Sequence, residues 1–293
     1  MKACIPAGAC DSHVHLFGPA AHYPFAPDRV YTPGDADEAA LNQLHADLGI
    51  DRVVLVQPSV YGTDNTRLLA GLEALGSRAR AVAVIDPWNA SDAELDRLHA
   101  TGVRGVRVNI ATVGMDDPQN AWRLIDEQAR RIAGRDWHVQ VLTRLSVIKA
   151  MRKEIASLPV PLIVDHFGLL DPAKGPDQPG FSTLLQLLAD GHLHVKLSAM
   201  RRLTGSDDLA PLAPFIDRLA AHPSRLVWGT DWPHTGGGRT WGTRSDAIEP
   251  FVPTDDGAAL SFLVERVGTG EELRQILVDT PTRLYGFGEN APR

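Results

Sequence analysis

Cysteine is almost missing from this chain: two residues in 293, Cys4 and Cys10, both near the start. A bridge between them would close a short loop and staple nothing distant, which excludes a disulfide-built scaffold and makes a reducing cytoplasm the expected compartment. No long basic run is present, and 29 basic residues against 36 acidic ones leave a net charge of -7, so no nucleic-acid partner is expected. No apolar stretch is long enough to span a bilayer, and "MKACIPAGACDSHVH" lacks the apolar centre of a secretory signal, so no membrane association is expected either. There is no low-complexity linker and no break in composition, and residues 1–293 read as one domain. The glycine fingerprint of a dinucleotide-binding sheet is absent after the first apolar run.

What the chain does have is repetition. An apolar fraction of 44% is enough for a large core. Eight short runs rich in Val, Ile and Leu recur at residues 8–15, 52–59, 80–87, 103–110, 137–143, 161–168, 193–200 and 226–233. Amphipathic stretches such as "DADEAALNQLHADLG" and "PQNAWRLIDEQARRIAG" separate them, opening on capping residues or Pro and closing on Gly. Eight strand-helix units are the number that closes a parallel (β/α)8 TIM barrel, so the fold class is α/β. The Pro- and Gly-rich segments after several runs are long for plain connections, and in such a barrel the loops after the strands shape the active face.

Polar residues standing where the apolar runs stop form the candidate site. They are His13 and His15 in "DSHVH", His166 in "IVDHFG" and Asp231 in "WGTDWPH". A single strand-end histidine is more often a hydrogen-bonded loop residue than a catalyst. Three of them with a carboxylate at one barrel mouth are expected to share a task, since burying each alone would cost desolvation energy. Strict alternation along the first strand puts Asp11 on the same face as His13 and His15, and along the sixth it turns Asp165 toward the helices. Arg107 lies inside an apolar strand two residues before Asn109, so both are expected to point into the barrel, where the guanidinium needs an anionic or hydrogen-bonding partner.

The segments "DSHVHLFGP", "YPFAPDRVYTPGDA", "VLVQPSVYGTDN", "GVRGVRVNI", "VDHFG" and "GTDWPH", in this order and spacing, resemble the amidohydrolase superfamily, in the branch of 2-pyrone-4,6-dicarboxylate lactonase and related lactone-processing enzymes. The resemblance covers nearly the whole chain. It implies a distorted barrel that hydrolyses lactones, with Asp231 activating water and His13, His15 and His166 polarising the carbonyl. It also implies Arg107 and Arg201 as substrate-carboxylate contacts, Tyr31 and Ser59 as neutral hydrogen-bonding groups, and His234 as a neighbour orienting base or substrate, while Asn109 joins Arg107 on the barrel wall.

A two-metal centre is not expected, because strands four and five end in Val108-Asn109-Ile110 and Val141-Leu142-Thr143, and His138 lies at the other end of its strand. The resemblance spans metal-independent lactonases and lactone hydrolases and decarboxylases that use a single divalent ion; no obligatory metal is expected, with one zinc on His13, His15, His166 and Asp231 as the alternative. The expected substrate is a small anionic lactone. "NIATVGMDDP" lacks the further Arg that a pyrone dicarboxylate would call for, so a monocarboxylate, sugar-acid or sulfonated lactone fits better. Lactone isomerisation and zinc-dependent decarboxylation are the alternative reactions. Oligomeric state is not legible in these residues.

Overall fold

The computed structural model describes residues 5–288 except 113, 115–116 and 237–245; Cys4, Arg239, Trp241 and Arg244 lie outside the described residues. Eight parallel strands occur where the apolar runs stand: β1 (Cys10–Val14), β2 (Arg52–Val56), β3 (Ala79–Ala83), β4 (Val103–Asn109), β5 (His138–Leu142), β6 (Leu162–Val164), β7 (Leu193–Ser198) and β8 (Leu226–Gly229). They pair in sequence order from β1 to β8. The chain just past β8 returns to β1, with Asp231 N donating to His13 O at 2.9 Å and His15 N to Trp232 O at 2.9 Å, and this closes the (β/α)8 barrel.

Alternation sorts the strand side chains into two apolar layers. Val53, Leu55, Val106, Val108, Leu162 and Val164 join the large core between barrel and helices. Cys10, Val54, Val56, Val82, Ile163 and Val227 meet inside the barrel, where Tyr285 and Phe287 of the C-terminal segment plug its floor. The helices form where capping and period agree. In Glu38–Leu48 the side chain of Asp37 accepts from Ala40 N, and Gly49 ends the helix at φ +75°. In Pro118–Ile132, Ala121, Ile125, Ala129 and Ile132 bury one stripe behind an Asp117 cap. Among the described residues no helix is long and apolar enough to cross a membrane.

Two alternation expectations are overturned. β1 carries one extra residue relative to β2, since Asp11 pairs with Val53 but Val14 already with Leu55. This bulge lets Asp11 turn outward while His13 and His15 turn inward. Asp11 accepts from Thr230 Oγ1 at 2.6 Å and lies 3.4 Å from His45 Nε2 on the Glu38–Leu48 helix. On β6, Ile163 points inward, so the same period of two carries Asp165 inward as well; it is wholly buried. His166 then reaches the mouth by a left-handed turn at φ +49° rather than by strand alternation.

Candidate active site

Four side chains from three strand ends converge at the barrel mouth. Oδ1 of Asp231 lies 3.5 Å from His13 Nε2, 3.6 Å from His15 Nε2 and 3.7 Å from His166 Nε2, and all four residues are buried. His13 and His15 approach Nε2 to Nε2 at 3.3 Å. Asp231 is held at φ +71° and His166 at +49°, backbone conformations that cost about 1–3 kcal/mol for a non-glycine residue and that collect where function overrides local preference. Glycine is required beside them: a Cβ on Gly229 would stand 2.7 Å from His13 Cβ and N. Gly229→Ala is therefore expected to push β1 off β8, lowering stability by about 1–3 kcal/mol and displacing His13. A denaturant midpoint equal to the parent's, with unchanged turnover, would contradict this.

Burial keeps His13 and His166 neutral. It lowers His13 well below its usual value against the pull of Asp165, and it brings His166 down to about 4 despite Asp231 and Asp165. Burial alone would raise Asp231, but His166, the His15 contact, His13 and Arg202 together hold its carboxylate well below the ordinary range. The second ring nitrogens are engaged. His15 Nδ1 lies 2.7 Å from Val56 O, and His166 Nδ1 lies 2.8 Å from Ser198 Oγ. A carbonyl can only accept, so His15 carries its proton on Nδ1 and turns a bare Nε2 to the centre.

This donor set fits one divalent cation. His13, His15 and the ionised Asp231 bring their ligand atoms within reach of one another, and the neutral ring of His166 stands beside Asp231. Separations of 3.3–3.6 Å among His13, His15 and Asp231 are close to the roughly 3.3 Å expected of ligand atoms sharing a tetrahedral zinc. The carbonyl behind His15 and the hydroxyl behind His166 are the outer partners that ligating imidazoles need. His13, Asp165 and His166 also lie close enough to form a ligand group. There, however, Lys196 Nζ at 3.7 Å and Arg107 Nε at 3.9 Å already supply the positive charge that Asp165 needs. His138 lies toward the barrel floor, its ring 5.3 Å from Tyr285, so β5 adds no ligand at the mouth.

The remaining candidates are spread around this centre. A cavity of about 200 Å³ is lined by Asp231, His234, Thr230, Arg201, Arg202 and Asp256, among others. Within it Arg201 donates from Nε to Asp207 Oδ1 at 2.7 Å, while Arg202 Nη1 comes within 3.7 Å of Asp231 Oδ2. The guanidinium facing the carboxylate is thus the neighbour of the one the sequence singled out. His234 Nε2 meets Asp256 Oδ2 at 3.0 Å; burial would lower this imidazole, but the bond and charge of Asp256 outweigh it, and its pKa is raised. Arg107 points into the barrel as expected, donating from Nη1 to Gln57 O at 2.9 Å. Asn109 Oδ1 accepts from Thr112 N at 3.0 Å, Tyr31 packs with Phe17 and Tyr61, and Ser59 opens the short turn after β2.

Sequence reasoning passed over Lys196 and Gln140, both wholly buried inside the barrel. Their signal was present: a lysine and a glutamine each interrupt an apolar strand, in "LHVKLS" and "HVQVL".

Comparison with known proteins places these residues among relatives. The family profile described as amidohydrolase matches residues 10–287. The chain is 36% identical to a 2-pyrone-4,6-dicarboxylate hydrolase of Comamonas testosteroni, covering 96% of this chain and 91% of that one. It is likewise 36% identical to a 4-sulfomuconolactone hydrolase of Rhizobium radiobacter, over 96% of this chain and 91% of the relative. A solved structure from Pseudomonas putida, assigned as a 2-pyrone-4,6-dicarboxylic acid hydrolase, superposes with a TM-score of 0.78 at 32% identity, covering 97% of this chain and 99% of the other.

Proposed function

Because the chain belongs to the amidohydrolase family, we propose that it is a hydrolase that opens the ring of a small anionic lactone at the barrel mouth, with one divalent cation among His13, His15, His166 and Asp231. Relatives that act on a pyrone dicarboxylate and a sulfonated muconolactone support the substrate class. The observation that carries the reading is Asp231 Oδ1, ionised and 3.5–3.7 Å from three imidazole nitrogens, on the wall of a cavity sized for a small acid.

In this reading Asp231 takes the proton of the attacking water and returns it to the ring oxygen as the tetrahedral intermediate collapses. A carboxylate whose pKa is held this low is a weak base toward ordinary water. A divalent cation in the cluster would supply the Lewis acidity that weak base needs, toward water and carbonyl alike. The donor set thus favours a cation over metal-free polarisation by the histidines. Arg202, beside Asp231, and Arg201 give the cavity wall the positive charge that an anionic substrate requires.

The test is a panel of pyrone dicarboxylate, sulfonated muconolactone and aldarolactone, followed by acid release, with the protein stripped of metal and then reloaded with zinc. Ring opening that falls at least 100-fold on stripping and returns on reloading is expected, since without the cation activation of the attacking water would rest on the weakly basic Asp231. Turnover undiminished after complete stripping would return the histidines to direct carbonyl polarisation. Consumption of none of the lactones by the loaded protein would remove the reading. Product analysis separates the open acid from an isomeric lactone, and carbon dioxide release would mark decarboxylation.

A further inference from the structure

Beneath the mouth lies a buried charged layer that the proposed reaction leaves unused. Lys196, wholly buried on β7, donates to Ser12 O at 2.8 Å and to Gln140 Oε1 at 2.6 Å. An ammonium has no electron pair to offer, so the Gln140 oxygen must face it, and the amide nitrogen donates to Asp165 Oδ2 at 2.9 Å. Lys196 Nζ at 3.7 Å and Arg107 Nε at 3.9 Å flank the same carboxylate.

His13 Nδ1 enters this layer 3.4 Å from Asp165 Oδ1 and 3.5 Å from Lys196 Nζ. The two neighbours make opposite demands. The carboxylate calls for a proton on Nδ1; the ammonium calls for a bare nitrogen. The ammonium already has two short bonds and can turn its third hydrogen toward Asp165 Oδ1. The carboxylate oxygen offers only electron pairs in every direction. A bare Nδ1 would therefore set two acceptors against each other in a dry interior, where an unmet polar group is costly.

We propose that Asp165 is a positioning residue that holds His13 as its Nδ1–H tautomer, with Gln140 and Lys196 holding Asp165, so that the bare Nε2 of His13 faces Asp231 before any ligand arrives. This rests on the reading that the Nε2 atoms meet a cation. Without the device, a proton on Nε2 would bond to His15 Nε2, 3.3 Å away, and would have to leave before a cation could bind. Asp165 thereby does for His13 what the Val56 carbonyl does for His15.

Nitrogen NMR of the histidine-labelled, metal-free chain reads the tautomer directly, with the His13 signals identified by their loss in His13→Gln. The expected result is a protonated Nδ1 and a bare Nε2 at neutral pH. In Asp165→Asn the population is expected to move toward Nε2–H, and zinc affinity by chelator competition to fall about 10–100-fold. A proton on Nε2 in the unaltered chain overturns the proposal, and so does an Asp165→Asn protein that keeps both tautomer and zinc affinity. The tautomer is read without substrate, so a chain that opened no lactone would refute the proposed function and leave this result standing.

Discussion

Asp231→Asn is expected to lower kcat by roughly 10²–10⁴-fold, the usual contribution of a positioned acid-base group, while leaving the fold intact. The change removes the charge and basicity of the carboxylate and keeps its shape. Backbone strain does not confound it, because Asp231 sits at φ +71° and asparagine is among the side chains that tolerate the left-handed region best. The seam with β1 also survives, since it is made by Asp231 N to His13 O and not by the side chain. Circular dichroism, the unfolding midpoint and single-turnover rates on an accepted lactone form the measurement. A variant that stays folded and retains more than about a tenth of the parent kcat would take the proton-transfer role from Asp231.

Acid is expected to unfold this protein well above the pH at which ordinary carboxylates titrate. His138 and His194 are buried inside the barrel, and neither ring has a hydrogen-bond partner among the described residues. Burial, with the nearby Lys196 charge for His138 and the Arg225 charge for His194, brings both pKa values down from 6.5 to about 3. In the unfolded chain the same rings take up protons near their ordinary value. Between about pH 6.5 and 3 the unfolded state therefore binds more protons, and stability falls as pH falls. The limit is several kcal/mol per ring, a large share of the 5–15 kcal/mol typical of a folded protein. Asp165 and Asp231, both held below their usual range, add loss in the same direction at the acid end of the window. Unfolding free energy from urea melts should drop steeply from pH 6.5 to 4, and His138→Gln should flatten that slope. A parent protein equally stable at both pH values would show that these rings are not held neutral.

Most of the barrel was legible because each strand is an apolar run of the right length, and each of His13, His15, His166 and Asp231 stands where such a run stops. The misread positions each have their own cause. A period of two predicts facing only while every residue advances the strand, and the extra residue in β1 breaks that count for Asp11. For Asp165 the parity was set from His166, whose inward aim comes from a left-handed backbone that no pattern of apolar residues announces. Lys196 and Gln140 were harder still: from sequence, a polar residue alternating with apolar ones reads as solvent-facing, and only closure of the sheet makes that face an interior. Which of Arg201 and Arg202 approaches Asp231 depends on the short Met200–Thr204 helix that follows Ala199 at φ +55°.

The seam joining β8 to β1 ties catalysis to the ends of the polypeptide. Thr230 donates to Asp11 across 219 positions, and His13 and Asp231 meet only there. Contacts of such separation are entropically the most expensive to close and weigh most on folding speed. A ribosome-bound chain still short of its final strand thus carries all three histidines and no base. Return of turnover after dilution from denaturant would serve as a clock for ring closure, lagging behind signals from the local strand-helix units.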